Sequence, residues 1–144
     1  MSEHEQHEQH EQQEENVEER REYVRLPFDT EMMVRYGHKG RVFFGSCHNL
    51  SPGGIFVATK NPAPFGSMIT MKFTLPGHHR PLKARGRVVR IHRDTRSRSQ
   101  SSPPGMHVLF TQMSNRTETE LKHFIVPRLR QHVIRQLAER RRDS

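Results

Sequence analysis

Residues 68–92 read MITMKFTLPGHHRPLKARGRVVRIH, and their pattern decides the fold. Ile69, Met71, Phe73 and Leu75 alternate with Thr70, Lys72 and Thr74; after the Pro76–Pro81 turn cluster, Leu82, Ala84, Gly86 and Val88 alternate with Lys83, Arg85 and Arg87. A period of two sends one set of side chains to each face of an extended strand. Two such strands joined by a Pro/Gly turn predict an antiparallel pair with an apolar inner face and a cationic outer face.

The same texture recurs on both sides. Thr30–Tyr36, Gly40–His48, Gly54–Thr59 and Gly105–Phe110 are further short runs rich in Val, Ile, Phe, Met and Thr, making six in all. Turn clusters at Gly37–Gly40, Pro52-Gly53-Gly54 and Asn61–Gly66 separate them. Strands this short and this closely punctuated predict a meandering antiparallel barrel or sandwich. With 144 residues, 31% of them hydrophobic, and a mean hydropathy of -0.92, the chain holds one modest core.

The flanks differ. Residues 1–19, MSEHEQHEQHEQQEENVEE, repeat HEQ with one apolar side chain after the initiator, too little to offset the entropy of ordering, and are expected to be disordered. His4, His7 and His10 recur every third residue; a metal chelate and a plain solvated tail are both open, and composition favours the second. Residues 20–29 form a basic connector in which Pro27 disfavours the α conformation at Leu26, so an extended or turn-like path is expected. Between Arg93 and Pro104 there is no Val, Ile, Leu, Met or Phe, which predicts a long mobile basic loop.

After Met113 the period becomes helical, with Thr117 and Glu120 spaced as a capping box ahead of Leu121, Phe124 and Ile125. Pro127 either kinks this helix or starts a second one. Beyond it, Leu129, Val133, Ile134 and Leu137 form an apolar stripe beside Arg128, Arg130, Arg135 and Arg140–Arg142. The stripe is expected to pack on the barrel, with a dimer, membrane-surface or partner contact as the alternative. The organisation is therefore an acidic tail (1–19), a β domain including the connector (20–126) and a basic amphipathic C-terminal helix (127–144).

Charge is divided unevenly. Eight of the 16 carboxylates lie between Glu3 and Glu19, whereas all 24 Lys and Arg lie at or after Arg20; the other eight carboxylates against those 24 cations leave the remainder near +16, against +8 for the whole chain. Such a field favours anionic partners, whether nucleotide, nucleic acid or acidic lipid, without choosing among them. Trp is absent and aromatics are 7%, with Phe43, Phe56 and Phe73 at core-like positions, which argues against an exposed platform for stacking nucleic-acid bases.

Cys47 is the sole cysteine, which excludes an intramolecular disulfide and a Cys-rich zinc site. No apolar run approaches the roughly 18 residues of a membrane span, and the N-terminus lacks the basic-then-apolar order of a signal peptide, so a cytoplasmic location is expected. Catalytic groups are sparse: Asp29, Glu31 and Asp94 flank strands with no acid/base spacing, and Cys47 and His48, as strand neighbours, point to opposite faces. His78 and His79 lack nearby carboxylate or thiolate ligands for a metal. A binding module is expected, and not an enzyme.

Two short signals remain. Arg21-Glu22-Tyr23-Val24-Arg25 is an RxxxR pair preceded by Arg20, and Asn49-Leu50-Ser51-Pro52-Gly53-Gly54 matches [D/N]xSxxG, with 23 residues between them. Alone, the second is an ordinary turn, where Ser and Asn bond nearby backbone and glycine allows positive φ. Together and in this order they resemble the bipartite cyclic di-GMP signature of the PilZ family. The likeness extends through NLSPGGIFV (49–57), Leu75-Pro76-Gly77 and the Gly105–Phe110 strand ahead of a C-terminal helix, and covers about residues 20–126.

The resemblance implies a six-stranded antiparallel β-barrel with a C-terminal α-helix, acting as a non-enzymatic cyclic di-GMP receptor that relays the second messenger to a protein partner. It implies no cofactor and no metal. Its ligand residues would be Arg20, Arg21, Arg25, Asn49, Ser51, Gly53 and Gly54. Arg21 and Arg25 would close over the ligand as a strap, their guanidinium forks suiting both phosphates and guanine O6/N7 edges. Asn49 would bond a guanine edge, Ser51 a phosphate or the guanine, and Gly54 would permit close approach. Arg20 is associated in the family with an intercalated ligand dimer, and a homodimer of the protein stays open. A degenerate PilZ-type interaction adaptor and a basic nucleic-acid-binding barrel are the alternatives.

Overall fold

In the computed structural model, which describes residues 26–27, 32–93 and 103–143, each alternating run becomes a strand. The strands are β1 (Leu26–Pro27), β2 (Met33–His38), β3 (Arg41–Ser51), β4 (Gly54–Ala58), β5 (Met68–Phe73), β6 (Leu82–His92) and β7 (Gly105–Met113), followed by helix α1 (Asn115–Asp143). Their order is β1-β3-β2-β5-β6-β7-β4, all antiparallel, and a further β3–β4 pairing closes β2 to β7 into a six-stranded barrel. The expected barrel is present, with β1 as an extra strand. The acidic tail, Arg20, Arg21, Arg25 and most of the 93–104 loop lie outside the described residues.

Alternation dictates the barrel's inside. Ile69, Met71, Phe73 and Leu75 are buried while Thr70, Lys72 and Thr74 are exposed, and Leu82, Ala84, Gly86 and Val88 are buried while Lys83, Arg85 and Arg87 are exposed. Val34, Tyr36, Leu50, Ile55, Val57, Met106 and Val108 complete the interior, and Leu121, Phe124 and Ile125 of α1 close one end. Tyr36 is the one buried phenol among the described residues, and its hydroxyl is satisfied. It donates to the Asn61 carbonyl at 2.6 Å, which leaves the Thr59 hydroxyl, 2.8 Å away, to donate to it. Phe43, expected in the core, is half-buried and stacks on Tyr36 at 5.5 Å.

Turn chemistry sets the register. The β2–β3 hairpin turns on Lys39 and Gly40, both with positive φ (49° and 76°), the primed geometry that matches strand twist. Pro76 and Gly77 (φ 79°) turn the chain after β5, with the His78 N–H donating to the Leu75 carbonyl at 3.0 Å.

Three details of the helical end depart from the sequence reading. The cap is Ser114 and not Thr117: Ser114 Oγ accepts the Thr117 N–H at 3.1 Å, and Thr117 stands in the first turn. Pro127 sits inside one continuous helix, so no second helix starts there. It removes the donor for the His123 carbonyl, and the next carbonyl, that of Phe124, receives the Arg128 guanidinium at 2.8 Å while the same group lies 3.8 Å from the Phe124 ring centroid. Finally, the apolar stripe packs on the barrel only as far as Leu129; Ile134 and Leu137 are 60% and 53% exposed, because the helix outruns the sheet. No helix among the described residues is long and apolar enough to cross a membrane.

Two expectations follow. A Cβ at Gly105 would meet the Val57 carbonyl oxygen, Ala58 Cα at 2.9 Å and the Phe56 ring at 2.9 Å, mostly backbone that cannot swing away. Gly105→Ala is therefore expected to cost about 2 kcal/mol in urea unfolding, an overpacking penalty, and an unchanged midpoint would contradict the close β4–β7 spacing. Burial pushes the Cys47 thiol from 9.0 up to about 12, and burial also raises Tyr36 above its usual 10.0 against the smaller opposing effect of the Thr59 hydrogen bond. Above pH 9 the unfolded chain loses these protons first, so stability is full below that pH and falls as pH rises toward 12. Urea midpoints on either side of pH 9 test this, and Cys47→Val is expected to flatten the decline.

Candidate functional site

The loop from Ser51 to Gly54 joins β3 to β4, the two strands whose pairing closes the barrel. Ser51 is buried; its Oγ accepts the N–H groups of Gly53 (3.3 Å) and Gly54 (3.1 Å) and lies 3.4 Å from the Gly54 carbonyl, to which it donates. The Gly53 carbonyl accepts the Phe110 N–H at 2.9 Å, tying the loop to β7. Neither Gly53 nor Gly54 has positive φ, contrary to the usual reason for glycine in a turn. Gly54 is small for another cause: a Cβ there would stand 2.6 Å from the Val108 carbonyl oxygen of β7.

Asn49 is placed by a bulge. Cys47 pairs with Val57 but Asn49 pairs with Phe56, so His48 is skipped in the β3–β4 ladder. This irregularity lets Cys47 and Leu50 both point into the core although an odd number of steps separates them, leaving His48 and Asn49 half-buried on the outer face. On its other side Asn49 pairs with Pro27, and Leu50 with Leu26.

Phe56 completes this corner and is buried, as its core-like position in the sequence predicts. Its neighbours Ile55 and Val57 point inward, so Phe56 faces outward, yet it is only 1% exposed. The His48 and His107 rings meet it edge-on, with centroids at 5.7 and 4.5 Å. Asn49, Ser51, Gly53 and Gly54 are thus brought to one place, and His48, Phe56 and His107 join them. Around them, residues 32–93 and 103–113 contain eleven Lys and Arg and neither Asp nor Glu. Glu118 of α1 lines the pocket beside Pro52 and Gly53, so the carboxylate-free side of the corner is the barrel wall, where the Asn49 amide and the His48 and His107 imidazoles, backed by the buried Phe56 ring, suit a planar, anionic, hydrogen-bonding ligand.

Ser51→Ala would leave the Gly53 and Gly54 N–H groups without their acceptor and is expected to destabilise the fold by about 1 kcal/mol in urea unfolding. No loss of stability would show that the loop does not depend on this hydroxyl.

A family model described as PilZ domain matches residues 19–126. Among solved structures, the inhibitor of motility MotI/DgrA of Bacillus subtilis is 24% identical with a TM-score of 0.61, covering 76% of this chain and 51% of its own. The PilZ domain of Escherichia coli YcgR, solved with c-di-GMP, is 15% identical with a TM-score of 0.57, covering 81% of this chain and 95% of its own. MrkH of K. pneumonia, solved in its apo state, is 15% identical with a TM-score of 0.54, covering 84% of this chain and 53% of its own. The chain thus spans about half the length of MotI/DgrA and MrkH. No curated protein matches it.

Proposed function

Because the chain belongs to the PilZ domain family, whose domains bind and do not catalyse, we propose that it is a cyclic di-GMP receptor, cytoplasmic, relaying the ligand to a protein partner. One observation carries the reading. Leu26, the residue that follows Arg25 in the chain, pairs with Leu50, and Pro27 pairs with Asn49, so the RxxxR connector runs directly into a strand lying beside the [D/N]xSxxG turn. Arg25, with 23 residues between it and Asn49 in sequence, is bonded to the first residue of that strand, which supports a meeting of the two halves of the signature at this corner. The YcgR domain solved with c-di-GMP has the same fold and supports the choice of ligand.

The chemistry divides between the halves. Arg21 and Arg25, with Arg20 ahead of them, supply cations for the two phosphodiesters and forks for guanine edges. Asn49 presents an amide to a guanine Watson–Crick edge without the repulsion an ionised Asp would feel from phosphate. Ser51 and Gly54 serve this site through the loop they build, since the Ser51 hydroxyl is already engaged by Gly53 and Gly54.

Isothermal calorimetry of the full chain with cyclic di-GMP tests the reading. Wild type is expected to bind, and Arg21→Ala and Asn49→Ala each to weaken binding about tenfold or more, as for loss of one charge-assisted or buried hydrogen bond. Absence of wild-type binding would overturn it. Steeply salt-dependent binding of duplex DNA in place of the dinucleotide would favour a nucleic-acid partner for the cationic barrel.

A further inference from the structure

The strand register draws a line across the outer face that continues beyond the site described above. Pro27 pairs with Asn49, Asn49 with Phe56, Phe56 with His107, and His107 with Arg90, so five strands contribute one residue each to a single cross-strand row. Two ladder irregularities produce it. In β3 the register skips His48, and in β6 it skips Val89, since Val88 pairs with Val108 but Arg90 pairs with His107. Bulges of this kind re-aim side chains, and here the two bring Asn49 and Arg90 into line with the Phe56–His107 pair from opposite ends.

The middle of the row is rigid and its far end is available. Phe56 is held between His48 and His107, while Met106 and Val108 on either side of His107 are buried in the core. Arg90 is exposed, and it has no hydrogen bond or ion pair among the described residues. From β3 to β6 the row crosses three strand spacings, about 14 Å along the curved sheet.

Cyclic di-GMP repeats itself: two guanines and two phosphates. A corner built on Asn49 and the connector carries the phosphates and reads the guanine nearest Asn49, and leaves the second guanine's edge to be read elsewhere. We infer that Arg90 is a ligand-binding residue whose guanidinium forks the O6/N7 edge of the second guanine, with the half-buried His107 ring, backed by the buried Phe56 ring, between the two ends. This rests on the cyclic di-GMP reading above. Arginine fits the task by shape as well as charge, because lysine cannot present two parallel donors to O6 and N7.

Calorimetry of the full chain with cyclic di-GMP and with cyclic di-AMP, which lacks the O6 acceptor, provides the test. Arg90→Ala is expected to weaken cyclic di-GMP binding about tenfold or more and to shrink the preference over cyclic di-AMP. Arg90→Lys is expected to recover only part of the loss. Arg85→Ala removes an equal charge from the same strand off the row, and is expected to change affinity by no more than about twofold at physiological ionic strength. Circular-dichroism melts of all three variants are expected to match wild type, as both arginines are exposed. If Asn49→Ala weakens binding but Arg90→Ala does not, or if Arg85→Ala and Arg90→Ala weaken it equally, the row ends before Arg90 and this inference is wrong while the receptor reading stands. A wild type that does not bind overturns both.

Discussion

The pairing of β3 with β4 is the constraint on which the rest of the molecule depends. It converts an open meander into a barrel, so that neither strand is left as an unpaired edge. The same pairing must turn within the four residues Ser51 to Gly54 and must absorb one extra residue at His48. Both demands fall on the candidate site: the turn is held by the Ser51 hydroxyl, and the extra residue lets Asn49 stand outside while Leu50 stays within. Much of what reads as a ligand signature is therefore also the means of closing the sheet. Gly54 is an example, since its missing side chain makes room for a β7 carbonyl irrespective of any ligand.

Period-two alternation made the barrel legible. It located β5 and β6 residue by residue, because a half-buried antiparallel strand has one dry face and one wet face. It failed where the ladder slips. In β3, which extends to Ser51 and not His48, the bulge breaks the alternation, and local pattern gives no warning of it. The helix cap was placed three residues late because Thr117 and Glu120 mimic a capping box, while the Ser114 that caps the helix looks in sequence like the end of a strand segment. Of the site, the turn residues were legible as a motif. Phe56 and His107 were not, because their meeting depends on β4 lying beside β7, a contact between segments far apart in the chain.

Among the described residues, ion pairs contribute little. The barrel residues described carry no carboxylate, and the pairs Arg116 with Glu120 and Lys122 with Glu118 are exposed i,i+4 contacts on α1, worth about 0.3–0.5 kcal/mol each. Cohesion comes instead from the apolar interior and from glycines that let neighbouring strands approach. At Gly45, a Cβ would stand 2.6 Å from both the Ala58 carbonyl oxygen and Val57 Cγ1, so β3 and β4 meet more closely than side chains would allow. A surface of repelling cations is tolerated because the interior outweighs it.

Helix α1 rests its root against β1 and β6, and among the described residues Leu129 is the last of its apolar side chains packed on the barrel core. At 1.5 Å per residue, its end at Asp143 stands about 21 Å beyond that last foothold. A stiff rod clamped at one end works as a pointer, so a tilt of a few degrees at its base sweeps the terminal arginines through an arc far larger than any displacement within the barrel wall. The base of that pointer leans on β1, and β1 is the direct continuation of the chain from Arg25.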